Sequence, residues 1–470
     1  MSESIAPDGY NHGMTAHHDI AIIGGGASGV LAAIHCLRSA TTPLRIALFD
    51  PDPELLGKGL AYSTERDEHL LNVPTGKMSA FARQPGDFLD YIASLPGFSS
   101  IAREALAVDY APRRHYAGYL HDRLEHARTH SPATLDIVPA RITSLHRETT
   151  GWALEHDSLR TTASHVVFAI GNTQRPLPAI LPDTLPAACV VEAWDYTGVA
   201  SIDADADVCI VGTGLSMADT VLTLEANGHR GHIHLLSRHA LLPLAHTIQP
   251  VVDEDFDAAI LLPLDVRGRL HHLRARMRDA AARGLPWQAV MERLRPHGQA
   301  LWRSLSKSER RRFLRHAVRY WDIHRHRIAP QVDAVLQSAR AAGRLHLHRG
   351  RLVALAVDQD RVRLNARATE GGPLSLQVDH VVNATGLELR ASAMGHPLLD
   401  QMLADGLARS GPLGLGLDVD ADGRLVNAHG QPDDTLRVIG SLRIGEAWET
   451  IAIPELRTQA ETIARAWLAD

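Results

Sequence analysis

Cysteine is scarce: Cys36, Cys189 and Cys209 are the three in 470 residues, and no two form a CxxC pair. That excludes the dithiol relay of a disulfide reductase and points to a reducing, cytoplasmic setting. Long apolar runs are missing, since none approaches the roughly 20 residues a bilayer span requires. The opening MSESIAPDGYNHGMTAHH has neither a basic start nor an apolar core, so neither a membrane partner nor a signal peptide is expected. Net charge is small, -6, which gives no reason to expect nucleic acid. Histidines number 28, yet a metal site is not expected: His324 and His326 are two apart, which on a helix turns them to different faces, and no HExxH pattern surrounds them.

The remaining composition, 45% hydrophobic and 22% charged, is that of a globular chain long enough for two or three domains. Charge is unevenly spread. Between Arg267 and Arg351 there are 21 Lys/Arg against 5 Asp/Glu, a local balance of +16 that leaves -22 elsewhere. This stretch is either a set of solvated helix faces or a cationic wall that attracts anionic ligands.

Two glycine turns organise the chain. Ile20 to Ile23 predicts a buried parallel strand, Gly24, Gly26 and Gly29 follow as GxGxxG, and Val30 to Leu37 predicts a helix. The first glycine permits the turn, the second lets a pyrophosphate approach the backbone, and the third lets helix and strand pack closely. Free N–H groups at the helix start supply the anion site. A second strand, Leu44 to Phe49, ends in Asp50, at the spacing where an acid hydrogen-bonds a ribose. The pattern returns at 207–224: strand Asp207 to Val211, then Gly212, Gly214 and Ser216, with Met217 in place of the third glycine, and a helix Ala218 to Ala226. The next strand, Ile233 to Leu236, ends in Ser237 and Arg238 without an acid. Arg238 either binds a 2′-phosphate, favouring NADPH, or stacks on adenine or faces solvent with NADH as donor.

SHVVFAIGN at 164–172 and DHVVNATGL at 379–387 resemble each other. Each predicts a strand entering a small-residue turn, at Gly171 and Gly386, where the chain crosses between domains near the cofactors. The predicted fold class is α/β, with two three-layer Rossmann-like dinucleotide-binding domains and a mainly helical insert. The first domain takes residues 1–200 and is completed by 386–470; the second takes 201–385, its insert at about 254–345. Helical periodicity runs through RGRLHHLRARMRDAAARG, WQAVMERLRPHGQALWRSL and SERRRFLRHAVRYWDIHRHR, with Pro330 closing a helix. Aromatics are only 5% of the chain, yet Trp287, Trp302, Phe313 and Trp321 gather here. They either knit the insert to its neighbours or line a substrate cavity.

GGGASG (24–29), GKGLAYST (57–64), HLLNVPTGKMSAF (69–81), PRRHYAGYL (112–120), GTGLSMAD (212–219), WDIHRHRIAP (321–330) and GEAWETIAIPELRTQA (445–460) together carry a family likeness. The chain resembles flavoproteins with two dinucleotide folds, FAD on the first and NADPH or NADH on the second. Within them it is most similar to the group containing FAD-dependent urate hydroxylases and aspartate N-monooxygenases. The histidine-tryptophan stretch of Baeyer-Villiger enzymes is missing around FAIGNTQRP. The resemblance implies that Gly24, Gly26, Ala27, Ser28 and Gly29 meet the FAD pyrophosphate and Asp50 the adenosine ribose. It places Asn72, Met78 and Ser79 along the flavin and Thr450 near the ring or ribityl chain. His246, Trp321 and Arg325 are candidates near the reacting groups. The implied activity is a monooxygenase taking a small anionic substrate and molecular oxygen, hydroxylating urate at C5 to 5-hydroxyisourate through a flavin hydroperoxide. The alternatives are N-oxygenation of a small acidic amino acid such as aspartate, an NAD(P)H-dependent reductase, and a non-enzymatic nucleotide sensor.

Overall fold

The computed structural model describes residues 16–157, 159–182 and 184–468. The opening segment weighed above as a signal peptide lies, up to residue 15, outside the described residues.

An eight-stranded sheet forms the first unit. Its parallel core runs Thr134–Val138, Arg45–Phe49, His17–Ile23, Leu159–Phe168, Pro432–Val438, so the strand that leads into the first glycine turn is central and the final strand arrives from the far end of the chain. The short apolar run at 20–23 makes such a strand because both faces are covered. Ile20 and Ile22 join a core formed with the helices Ala27–Ser39, Arg114–His130 and Ile453–Leu468, whereas Ala21 and Ile23 face a second core with Trp152, Leu154, Leu398 and Met402. These are three layers around one sheet.

The second sheet has seven strands, in the order Pro373–Val378, Arg361–Ala368, Leu345–Asp358, Ile233–Ser237, Val208–Val211, His380–Asn383, Val190–Glu192. Its last five are parallel and the first three form an antiparallel meander. Val208 and Ile210 pack on the helices Leu215–Ala226 and Pro330–Ala341, and Cys209 and Val211 face the meander. The α/β class with two such units agrees with the sequence expectation. One strand differs in place: Val190–Glu192 pairs with His380–Asn383, so the chain enters the second sheet before residue 201.

Between the units lies a stack of short helices: Val266–Ala282, Trp287–Leu294, Gly298–Ser304, Lys307–His316 and Val318–Arg325. The apparent long periodicity is cut at Pro296, where a 3-10 turn, Arg295–His297, replaces the helix. Pro330 does the opposite of what the sequence suggests. It opens the helix Pro330–Ala341 from its first turn, where its fixed φ suits a helix and its missing N–H costs nothing.

Candidate active site

Both glycine turns lie at the carboxyl ends of their parallel strands, where α/β folds take ligands. Gly24 has φ +104, and a Cβ there would lie 2.6 Å from the carbonyl oxygen of Ala169. Gly212 has φ +114, and a Cβ would lie 2.0 Å from the carbonyl oxygen of Ala384. Each fingerprint thus presses its first glycine onto the strand that leads to a crossing turn, at Gly171 or Gly386. That packing explains why the paired motifs recur together. The two crossings also meet: Gln174 bridges Leu387, Arg175 N–H donates to Gly386 O at 3.0 Å, and Asn383 Nδ2 donates to Arg175 O at 2.9 Å.

The remaining fingerprint glycines divide by what limits them. A Cβ at Gly29 would fall 1.8 Å from Gly24 O, so its role is packing. A Cβ at Gly26 would meet only Gly59 Cα, at 3.7 Å, and one at Gly214 would meet nothing within 4 Å. Protein contacts do not require glycine at these two helix N-caps; the space they leave lies where a phosphate approaches a helix start. Gly24, Gly26, Ala27 and Ser28 all keep partial exposure there. Asp50 ends its strand as expected. Its Oδ2 accepts Gly25 N–H at 2.7 Å and its Oδ1 accepts Asp52 N–H at 2.9 Å, which aims the carboxylate beside the turn with acceptor capacity left for a ribose hydroxyl.

Three residues expected along the flavin are sealed from solvent: Met78 is 2% exposed, Ser79 0% and Thr450 1%. Met78 packs into the core beneath the first sheet. Ser79 closes a local turn, donating to Gln84 O at 2.7 Å. Thr450 Oγ1 donates to Gly440 O at 3.1 Å and accepts from Gln459 Nε2 at 2.8 Å. Their side chains are spent on internal packing and hydrogen bonds. Gly440, with φ +90, lies against Ser28 Oγ, so the start of the first fingerprint helix and the segment leading to Ile453–Leu468 meet there.

In the second unit, Ser216 Oγ accepts Trp194 Nε1–H at 3.2 Å, which leaves its own proton free to donate. Met217, in the third-glycine position, is fully buried in the core. Arg238 is exposed at its strand end, and its guanidinium is held below the usual arginine range by partial burial and by neighbouring Arg319, Arg175 and Arg351. Arg175 and Arg319 have carboxylate neighbours, Glu388 at 3.9 Å and Asp322 at 3.3 Å. Repulsion within the group makes an added dianion favourable.

Of the three catalytic candidates, Trp321 and Arg325 meet at Glu449, and His246 lies instead against Asn72 and Tyr110. His246 Nε2–H donates to Asn72 O at 3.0 Å, joining the first unit to the second; burial, then Arg327, pushes its pKa down to about 4. Trp321 Nε1–H and Arg325 Nε–H donate to the two oxygens of Glu449, at 3.2 and 2.8 Å. Glu449 is buried and adjoins Thr450, and burial raises its pKa. A Cβ at Gly298 would come 3.0 Å from Glu449 Oε2, so glycine there lets the insert helix lie close to this carboxylate. Trp302 Nε1–H donates to Gly445 O at 3.0 Å and stacks on Trp448 at 4.8 Å, with Phe313 edge-on to both. These rings line an apolar cavity of about 60 Å³, so Trp302 and Phe313 knit the insert to the 444–450 segment. Trp287 packs edge-on against His324, apart from this knot. Trp448 itself holds φ +53, a conformation rare for a bulky residue.

Sequence reasoning missed the residues that bind these pieces together. Arg113 forms a buried fork with Asp219, at 2.8 and 3.0 Å, across the two units. His69 accepts from or donates to Thr64 Oγ1 at 2.7 Å through Nδ1, and its Nε2 reaches Thr223 Oγ1 at 2.9 Å. Arg295, in the turn at Pro296, has a buried Nη2 without a hydrogen-bond partner among the described residues. Its guanidinium is held below the usual range by burial and Arg325, offset by Glu455, Glu292 and Glu449. Glu292 is already engaged by Lys77 at 3.1 Å and by Arg327. The signal for Arg113 and Asp219 was present, since both lie inside quoted motifs.

Residues 21–173 match a family model described as FAD-NAD(P)-binding. No curated protein sequence matches the chain. Among solved structures, the desferrioxamine-pathway cadaverine monooxygenase of Erwinia amylovora, bound to FAD, aligns with TM-score 0.67 and 12% identity over 96% of this chain and 95% of that one. The ornithine N-hydroxylase of Kutzneria sp. 744 gives 0.66 and 17%, over 96% and 99%. L-lysine 6-monooxygenase from Pseudomonas syringae gives 0.62 and 17%, over 97% and 100%. The likeness is one of fold along nearly the whole chain, and the expectation of FAD with a nicotinamide agrees with the family match. Among the described residues no helix is long and apolar enough to cross a membrane.

Proposed function

We propose that this chain is an FAD-dependent, NADPH-consuming monooxygenase that N-oxygenates a small acidic amino acid, aspartate being the leading candidate. FAD, once reduced by the nicotinamide, supplies the oxygen chemistry; the chain's residues bind, orient and exclude water. The residues fit the cofactor: Gly26 and Gly214 leave the two phosphate approaches clear, and Asp50 supplies an acid beside the first. The group of Arg238, Arg319, Arg175 and Arg351 supports NADPH over NADH, because a 2′-phosphate relieves the repulsion that lowers the Arg238 pKa.

The observation that carries the substrate class is Arg295. A guanidinium nitrogen buried without an acceptor costs free energy, and an anionic group on the substrate removes that cost. The three solved structures named above act, by name, on cadaverine, ornithine and lysine. Here Lys77, Arg295, Arg325 and Arg327 outnumber Glu292, Glu449 and Glu455, a balance that opposes a cationic diamine and suits an amino acid with an added carboxylate. Arg325 and Trp321 act as positioning residues, since they hold Glu449 and with it the 444–450 segment. His246, neutral at pH 7, fixes Asn72 by its Nε2–H.

N-oxygenation thus takes precedence over C5 hydroxylation of urate, which shares the preference for an anion but has no amine. The test is substrate-stimulated NADPH oxidation with oxygen uptake, screened over aspartate, glutamate, lysine, ornithine and urate, with the hydroxylamine product identified by mass. Stimulation by aspartate with N-hydroxyaspartate formed is expected. Stimulation by urate alone would restore the purine reading, and turnover without oxygen would leave a reductase.

A further inference from the structure

Four histidines outside this site stand side by side on two neighbouring parallel strands. His232 immediately precedes Ile233–Ser237, which carries His234, and Leu345–Asp358 carries His346 and His348. His346 is in register with His234. The two-residue period of a strand puts all four rings on one face. They interleave: ring centroids lie 5.0 Å apart for His232 and His346, 5.1 Å for His346 and His234, and 5.2 Å for His234 and His348. His232 is exposed and the other three are half-buried, so the face is open to small solutes.

Within this ladder the nitrogens are paired. His232 Nδ1 lies 3.0 Å from His346 Nε2, and His234 Nδ1 lies 3.0 Å from His348 Nε2. A hydrogen bond between two imidazoles leaves a lone pair on one facing nitrogen and a proton on the other; when that proton moves to the far nitrogen of its own ring, both facing nitrogens present the lone pairs a metal ion takes. Two nitrogens each about 2.0–2.1 Å from one metal, and 3.0 Å from each other, subtend roughly 90–95° at it. That is the angle between neighbouring ligands in a tetragonal or octahedral site, whereas tetrahedral zinc asks for about 109° and so for nitrogens further apart. Asp207 lies at the open end of the ladder, its Oδ1 accepting His232 N–H at 3.0 Å and its Oδ2 paired with Arg361 at 2.6 Å. Among the described residues no three or more His, Cys, Asp or Glu side chains are gathered to hold one ion. The ladder therefore offers two ligands at a time, and water completes the sphere.

We propose that the two pairs, His232 with His346 and His234 with His348, are clamps for divalent transition-metal ions of the copper(II) or nickel(II) class, one ion per pair. Nothing in this depends on the reaction proposed above, and none of the four residues belongs to its machinery.

The experiment titrates the flavin-loaded full chain with copper(II) chloride, and separately with nickel(II) and zinc(II), by calorimetry. Wild type is compared with His234→Gln/His348→Gln and with the variant in which all four are glutamine. The double variant is expected to lose one copper equivalent and the quadruple variant two. A single His348→Gln change is expected to weaken its clamp by about tenfold or more, because the second ligand of a chelate binds at high effective concentration. Zinc should bind more weakly than copper or nickel. Circular dichroism checks that the variants fold. If they do not, the copper EPR spectrum of wild type decides, with nitrogen splitting from two imidazoles supporting the clamps and its absence overturning them. Copper binding unchanged in a folded quadruple variant would also overturn them.

Discussion

Gly26→Ala separates a phosphate cradle from ordinary turn packing. Gly26 is the N-cap of Ala27–Ser39 at φ -65 and ψ -176, extended backbone that alanine adopts freely, and the nearest protein atom to the new Cβ is Gly59 Cα at 3.7 Å. The fold should lose no more than about 1 kcal/mol, the usual cost of alanine at an N-cap. FAD, in contrast, meets a methyl group where its pyrophosphate approaches. Overpacking of that kind costs about 1–3 kcal/mol, which is about a 5- to 150-fold rise in Kd. Gly29→Ala is the control, since its Cβ would lie 1.8 Å from Gly24 O and no local adjustment relieves that; it should fail to fold. Gly214→Ala is the counterpart in the second unit and should weaken NADPH while leaving FAD bound. The assay pairs flavin content, read from visible absorbance and from fluorescence quenching on reconstitution, with thermal melting. Wild-type flavin affinity in Gly26→Ala, or a melting loss as large as that of Gly29→Ala, would refute the reasoning.

Replacing Arg113 by Met should destabilise the chain by about 3–5 kcal/mol, because Asp219 would be left charged and buried without its fork; denaturant unfolding measures it, and Asp219→Asn with Arg113→Met together should recover part of the loss. Arg238→Ala should raise KM for NADPH about 10- to 150-fold, the range for losing a charged hydrogen bond of about 1.5–3 kcal/mol, with KM for NADH little changed; steady-state kinetics with both donors decides. Acid should weaken the fold from about pH 6.5 downward. His246 and His326 have folded pKa values pushed down to about 4 and about 3 by burial, so the unfolded chain binds protons first and stability falls with pH through that window; His246→Gln should flatten the measured slope.

The parts of this architecture that sequence carries are local ones. GxGxxG after an apolar run, and an acid one strand later, specify a turn and its ligand chemistry within about thirty residues, and the structure puts Gly24, Gly26 and Asp50 together at one strand end. The recurrence of AIG and ATG is a tertiary fact visible in sequence, because the same contact, glycine against strand carbonyl, was built twice. What stays hidden is anything made by distant partners. Arg113 and Asp219 are 106 positions apart, and Arg325 and Glu449 are 124 apart. Arg295 reads as one more charge in a basic stretch, and only the fold shows a buried nitrogen without a partner among the described residues. Likewise Met78, Ser79 and Thr450 were placed along the flavin by family pattern, and only the fold shows that their side chains are buried. Pattern preserves neighbourhood along the chain, and exposure depends on what packs above it.

The central claim is that one polypeptide holds a flavin and brings a nicotinamide to it. The direct measurement mixes purified, flavin-loaded protein with NADPH in the absence of oxygen and follows the visible spectrum. The account predicts that the oxidised flavin bands bleach with NADPH and return when air is admitted. A chain that takes up no flavin, or a flavin whose colour persists under NADPH, would contradict it.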